Sequence, residues 1–220
     1  MHKKTAILFG ATGLTGSLLL TKLIQDERYE TIKVFTRSVP DARSDKLQII
    51  NIDLEDLEKY SDEISGNDLF CCLGTTIKKA GTKDNFRKVD LEWPALIASI
   101  AHKNGVPNFL MISSIGADPG SSNFYLRTKG EAEKAVQQYD FKKTVILRPS
   151  MLLGKRKEFR LLEELGKIIM KPVKLILRGK LKKYRPIDAE RVAKAMIKFA
   201  NTTTSKYVFE SHEIELYTKR

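Results

Sequence analysis

Thr5-Ala6-Ile7-Leu8-Phe9-Gly10-Ala11-Thr12-Gly13-Leu14-Thr15-Gly16 is the stretch on which the fold turns. Thr5–Phe9 is a short apolar run ended by a glycine, the signature of a buried strand. Leu14–Ile24 then carries its apolar residues at helical spacing. Between the two, glycines at 10, 13 and 16 allow a tight turn, close approach of backbone to a pyrophosphate, and packing of the helix on the sheet. The helix N-terminus adds unpaired N–H groups and the positive end of its dipole, which favour an anion. Strand, glycine turn and helix in that order predict a dinucleotide-binding unit.

Further along, apolar runs at Thr31–Thr36, Leu47–Ile52, Asn67–Leu73, Phe109–Ile112 and Thr144–Leu147 read as strands. Helical segments are expected at Asn85–His102, where Pro94 should kink the segment or begin a second one, and at Asn123–Gln138. Several of these strands are apolar on both faces and alternate with helices. That pattern predicts an α/β fold of Rossmann type, a doubly wound parallel sheet with helices on both faces. Beyond Pro149 the chain is less regular. A helix is expected at Glu158–Met170, another at Asp188–Ala200 with Asp188 as N-cap, and a last strand at Tyr207–Glu210. A single domain over 1–220 is the economical organisation, with a small substrate lobe at about 154–187.

With 220 residues, 42% hydrophobic and 30% charged, the chain can bury a sizeable core, and disordered, collagen-like and disulfide-stapled classes are excluded. Apolar runs such as Ile7–Phe9 and Leu18–Leu20 fall far short of the roughly 20 residues a bilayer span needs. The basic start Met1-His2-Lys3-Lys4 leads straight into the first strand with no cleavage site, so no signal peptide is read and a cytoplasmic protein is expected. The two cysteines, Cys71 and Cys72, are adjacent on a strand and point to opposite faces, which disfavours a bridge between them and fits a reducing compartment. They complete no ligand set with His2, His102 and His212, which are expected at the surface, and no metal is expected.

The formal net charge of +12 is concentrated. Between Lys155 and Arg185, twelve Lys/Arg face three Glu, a net of +9. Such a segment could meet an acidic substrate, a membrane surface or nucleic acid, or simply be a solvated face. No aromatic interleaving or zinc-finger spacing points to a specific nucleic acid.

The residues at the end of the second strand are Thr36-Arg37-Ser38, where NAD-preferring sites usually place a carboxylate. A guanidinium can pair with a 2′-phosphate, so NADP(H) is expected ahead of NAD(H); a plain surface arginine is the alternative. Asp53, after the third strand, is placed either to meet the adenine or to cap the following helix. Tyr125 and Lys129 stand four apart on the helix after the fifth strand and so share a face. An ammonium there would stabilise the phenolate and hold a nicotinamide ribose, and a serine of the Ser113-Ser114 pair could hydrogen-bond the reacting oxygen. The alternative is a core tyrosine beside a surface lysine.

The glycine turn, Ser114, Tyr125 and Lys129 resemble the short-chain dehydrogenase/reductase superfamily in its extended or atypical branch. The stretches FCCLGTTIKKAG, FRKVD, SSNFYLRTKGEAE and LRPSMLLG are similar to the Tat-interacting-protein-like, or CC-three, oxidoreductases, over roughly residues 5–200. The resemblance implies a phosphate loop of Gly10, Thr12, Gly13, Leu14, Thr15 and Gly16, with Arg37 at the 2′-phosphate. It also implies Asp53 and Leu54 by the adenine; Leu73, Gly74 and Thr75 at the adenosine ribose; and Pro149, Ser150 and Met151 beside the nicotinamide. Ser114, Tyr125 and Lys129 would be catalytic, Ser114 because the family's serine is usually the second of such a pair. Where many members carry a relay asparagine, this chain has Asp90.

The function expected is an NADP(H)-dependent oxidoreductase acting on a carbonyl or alcohol; a non-catalytic NADP(H)-binding regulatory protein is the alternative. A small-molecule substrate and a monomer or homodimer are expected.

Overall fold

The computed structural model describes residues 3–154, 179–204 and 207–218. Its seven-stranded sheet is parallel throughout, with strands β1 Lys4–Phe9, β2 Tyr29–Thr36, β3 Leu47–Asn51, β4 Asp68–Cys71, β5 Asn108–Ile112, β6 Lys143–Arg148 and, last in the chain, β9 Val208–Glu210. The order across the sheet is β3-β2-β1-β4-β5-β6-β9, so the chain reverses its winding between β1 and β4. Two-residue strands β7 Leu152–Leu153 and β8 Ile187–Asp188 form a separate ribbon.

Alternation along each strand divides the core. Ala6 and Leu8 of β1 face one way, joined by Ile32, Val34, Phe70, Leu110 and Val145, and are covered by helices α1 Leu14–Gln25 and α6 Ala189–Ala200 through Leu19, Leu23, Val192 and Met196. Ile7 and Phe9 face the other way with Leu69, Phe109 and Met111. They are covered by α4 Trp93–Lys103 and α5 Phe124–Gln137 through Ile97, Ala101, Ala132 and Val136. Each large apolar side chain so buried is worth about 1.5–3 kcal/mol. Cys71 and Cys72 follow the same alternation onto opposite faces, and both are free thiols. Burial pushes the Cys71 thiol up to about 11, which leaves it inert as a nucleophile near neutrality.

The structure departs from the sequence expectations at several places. The predicted helix 85–102 is split into α3 Lys83–Arg87, a π turn at Lys88–Glu92, and α4. The Trp93 N–H reaches back five residues to Lys88 O, and Pro94, which has no N–H to offer, follows immediately. A four-residue helix, α2 Ile77–Ala80, precedes α3, and a 3₁₀ helix spans Leu54–Glu63. Asp188 does occupy the N-cap position of α6, but its side chain makes no capping bond. It stands 3.7 Å from Arg191 instead. The last strand runs directly into a further helix, α7 Ser211–Thr218. The expected helix Glu158–Met170 and most of the basic segment lie outside the described residues.

Of the histidines, His102 is exposed and packs its ring on Tyr139 and Phe141, at centroid distances of 5.4 and 5.6 Å. His212 is half-buried, contrary to the expected surface position, and its Nδ1 has no hydrogen-bond partner among the described residues.

Candidate functional site

At the carboxyl ends of β1, β2, β4 and β5 lies a cleft of ≈ 920 Å³, at the point where the sheet order reverses and where open α/β sheets bind ligands. Its floor is the Gly10–Thr15 turn. Gly10 adopts φ +81°, and a Cβ there would stand 2.5 Å from the Cys72 carbonyl oxygen, so only glycine fits. A Cβ on Gly16 would meet the Gly10 carbonyl oxygen at 2.0 Å. Gly16 therefore shapes the loop from behind and is not itself part of the cleft wall. Gly13 caps α1 and brings no side chain to the helix's first-turn amides. Those amides have no intrahelical acceptor, so the turn offers a ready anion cradle.

Arg37 lines the cleft at the end of β2, where the Thr36 hydroxyl steadies the turn by donating to Ser38 O at 2.7 Å. Leu54, Leu73, Gly74 and Thr75 line it as well. Val89 and Trp93, which the sequence reading did not single out, complete an apolar wall with Leu54 and Leu73. Asp53 does not line the cleft; it is exposed and caps the 3₁₀ helix, its carboxylate accepting from the Glu55 N–H at 3.2 Å. Further residues missed in sequence are Asp41, Lys79 and Leu152.

Tyr125 and Lys129 reach the cleft together from α5, whose start is fixed by Asn123 accepting from the Leu126 N–H at 3.1 Å. The Tyr125 ring rests on the fully buried Phe86, with centroids 5.6 Å apart. The Lys129 side chain is only 7% exposed, and its Nζ lies 2.6 Å from Asp90 Oδ1. The two form an ion pair withdrawn from solvent, the Asp90 side chain being fully buried. Asp90 Oδ2 accepts from the Thr75 N–H at 2.8 Å. Burial pulls the Lys129 ammonium down, but Asp90 and then Tyr125 outweigh it, and the lysine sits above its ordinary value.

Ser113 lines the cleft, and its buried Oγ has no hydrogen-bond partner among the described residues. It is in phase with Phe109 and Met111, on the side of the sheet covered by α5. The Ser114 hydroxyl lies 3.5 Å from Ile115 O. Pro149, Ser150 and Met151 stand beside the cleft without lining it. The Ile115 N–H donates to Pro149 O at 3.0 Å, the Ser150 N–H donates to Ser211 Oγ at 2.7 Å, the Ser150 hydroxyl donates to Arg185 O, and Met151 is 61% exposed.

A reversed parallel sheet, a glycine turn at an uncapped helix N-terminus and a cleft across the reversal define a nucleotide-binding Rossmann-type protein. The chain belongs to the NAD(P)H-binding family, whose sequence pattern matches residues 10–203. Among its relatives, protein HTATIP2 of Rattus norvegicus is 35% identical over 164 residues, covering 73% of this chain and 67% of that protein. The mitochondrial protein FMP52 of Candida albicans is 34% identical over 206 residues, covering 89% and 87%. Solved structures share the fold at low identity. MoeE5 in complex with UDP-glucose and NAD superposes with a TM-score of 0.69 at 16% identity, over 97% of this chain and 80% of that one. A Veillonella parvula short-chain dehydrogenase/reductase in complex with NADP gives 0.62 at 12%, over 93% and 89%. No described helix is long and apolar enough to cross a membrane.

Proposed function

We propose that the protein is an NADP(H)-dependent oxidoreductase that reduces a carbonyl or oxidises the corresponding alcohol. The observation that carries this reading is the meeting of Tyr125, Lys129 and Ser113 in the same cleft as the Gly10–Thr15 turn. Residues 1–220 would form one NAD(P)-binding domain, with a basic substrate lobe at about 154–187 and an anionic group on the substrate.

A bound nicotinamide supplies or accepts the hydride at the substrate carbon. The chain's own residues do the rest. The Gly10–Thr15 amides hold the pyrophosphate, and Arg37 meets a 2′-phosphate that an acidic residue would repel. In the reducing direction Tyr125 gives its hydroxyl proton to the carbonyl oxygen as the hydride reaches carbon; in the oxidising direction it takes that proton back. Lys129 orients the phenol and the ribose. The family resemblance puts the substrate-orienting hydroxyl on Ser114, whereas the unpartnered Oγ in the cleft wall is that of Ser113; alanine at each position in turn separates them.

Cytoplasmic residence belongs to the same proposal, supported by the two free cysteines. The FMP52 relatives are named mitochondrial, and cell fractionation with immunodetection distinguishes the compartments.

Trp93 is the chain's single tryptophan and lines the cleft, so its fluorescence reports binding directly. NADPH should quench it and bind more tightly than NADH. In Arg37→Ala the NADPH affinity should fall about 10- to 100-fold, the loss expected of a charged hydrogen-bonded pair, while NADH affinity barely moves. A carbonyl panel followed by NADPH oxidation should reveal turnover that Tyr125→Phe lowers at least about 100-fold. Tight NADPH binding with the same background in both proteins would instead establish the non-catalytic, regulatory reading.

A further inference from the structure

Asp90 is 1% exposed, sits on the π turn and touches two different parts of the site. One oxygen faces the Lys129 ammonium at 2.6 Å, and the other accepts the Thr75 N–H at 2.8 Å, at the end of β4. Gly74 lies against the same pair: a Cβ there would be 3.5 Å from Asp90 Oδ1 and 3.7 Å from Lys129 Nζ. The wide turn that carries Asp90 interrupts the 83–103 helix where the carboxylate has to reach inward.

We propose that Asp90 is a positioning residue: it fixes the Lys129 ammonium and ties it, through the Thr75 N–H, to the strand end that flanks the nucleotide, so that Tyr125 faces an ion pair and not a lone cation. An asparagine at this position would bring no charge. The aspartate offsets the Lys129 charge, so the phenol stands beside a neutralised pair. Among the described residues, the other titratable and charged groups on the elements packed around it include these, with Glu92 of the π turn exposed. Tyr125 stands on α5 with Lys129, and Cys71 lies at the end of β4. On the π turn itself Lys88 turns away to Glu55 at 2.6 Å. Arg87, just before it, pairs with Glu131 at 2.6 Å.

The functional weight of this proposal rests on the oxidoreductase reading, but its electrostatics can be read without any nucleotide. NMR titration of protein carrying ¹³Cζ-tyrosine and ¹³Cε-lysine, with Tyr125→Phe assigning the phenol, follows the Tyr125/Lys129 pair as a coupled unit. In Asp90→Asn the first proton should leave that pair at least one pH unit lower, a tenfold or greater rise in its acid dissociation constant. A folded Asp90→Asn protein with an unchanged titration would overturn the proposal and leave Asp90 as packing. Should that variant not fold, the unsubstituted protein still decides. The Thr75 amide resonance should move with the midpoint of the Lys129 Cε resonance, and a Thr75 amide indifferent to that titration also overturns it. Failure of the wild-type protein to bind NADPH would sink the functional reading and leave this result standing.

Discussion

A Gly16→Ala protein should lose NADPH affinity by at least about 100-fold, close to 3 kcal/mol, while still folding. The added methyl carbon would stand 2.0 Å from the Gly10 carbonyl oxygen and 2.8 Å from its carbon. Both are backbone atoms, so no side chain can swing aside, and the turn must move off α1. Gly10 cannot yield toward β4, because it already lies against the Cys72 carbonyl. Displacement of the turn carries with it the amides that would hold the pyrophosphate. Gly13→Ala provides an internal scale, since its Cβ would meet the Gly10 oxygen at 3.3 Å and a small adjustment relieves it. Its loss should be clearly smaller. Trp93 quenching gives the affinities, and thermal denaturation gives an independent check. A saturating ligand stabilises by about 2.7 kcal/mol at 100 times its Kd, so Gly16→Ala should show little or no ligand-induced rise in Tm. Equal affinities for Gly16→Ala and wild type would mean that the pyrophosphate is held elsewhere.

That turn was legible in the sequence because its requirements are local. Glycine spacing, a preceding apolar run and a following helical pattern are all read within twelve residues, and the parallel sheet follows from repetition of the same alternation. Tyr125 and Lys129 were legible for a similar reason, since four residues on a helix are one face wherever the helix packs. The far wall of the cleft was not. Val89 reaches it from the π turn and Trp93 from the start of α4, and the extra residue in that turn rotates the faces that a regular 3.6-residue repeat would assign; Asp90, beside them, was singled out only through the resemblance. Pro94 signalled an interruption without saying how the chain would absorb it. Asp53 was ambiguous by its chemistry, because a carboxylate after a strand suits both an adenine and a helix start, and it spends its oxygen on the Glu55 N–H. At Ser113 and Ser114 a usable signal existed. Strand parity with Phe109 and Met111 places Ser113 on the side of α5, whereas the resemblance alone pointed to its neighbour.

At the opposite ends of the strands Asp68→Ala should cost about 3–5 kcal/mol, the penalty for leaving buried ionic and polar partners unmatched. Asp68 is fully buried at the start of β4. Its Oδ2 accepts from Lys4 Nζ at 3.0 Å and from the Tyr29 hydroxyl at 2.7 Å, and its Oδ1 accepts from Asn108 Nδ2 at 2.6 Å. Asn201, at the end of α6, accepts from Lys4 at 2.9 Å and donates to the Tyr29 oxygen at 2.9 Å. One carboxylate thus joins the first residues of β1, β2, β4 and β5 to the helix that covers them. The Tyr29 hydroxyl is held far above its usual range, first by burial and then by the Asp68 charge, so it donates at every accessible pH. Tyr29→Phe removes one donor and keeps the ring against Phe70, at 6.4 Å; it should cost only about 1–2 kcal/mol. The Asp68→Ala/Tyr29→Phe double variant should fall short of the sum, because both changes break the same bond. Urea unfolding measures all three, and an Asp68→Ala loss below about 1 kcal/mol would mean that the cluster is not holding the strand starts. NADPH affinity supplies the contrast. The cleft lies at the carboxyl ends of these strands, so a folded Asp68→Ala protein should bind nucleotide as well as wild type, whereas Gly16→Ala should retain most of its stability and lose binding. One sheet separates the two effects because its amino ends carry the polar tie and its carboxyl ends carry the site.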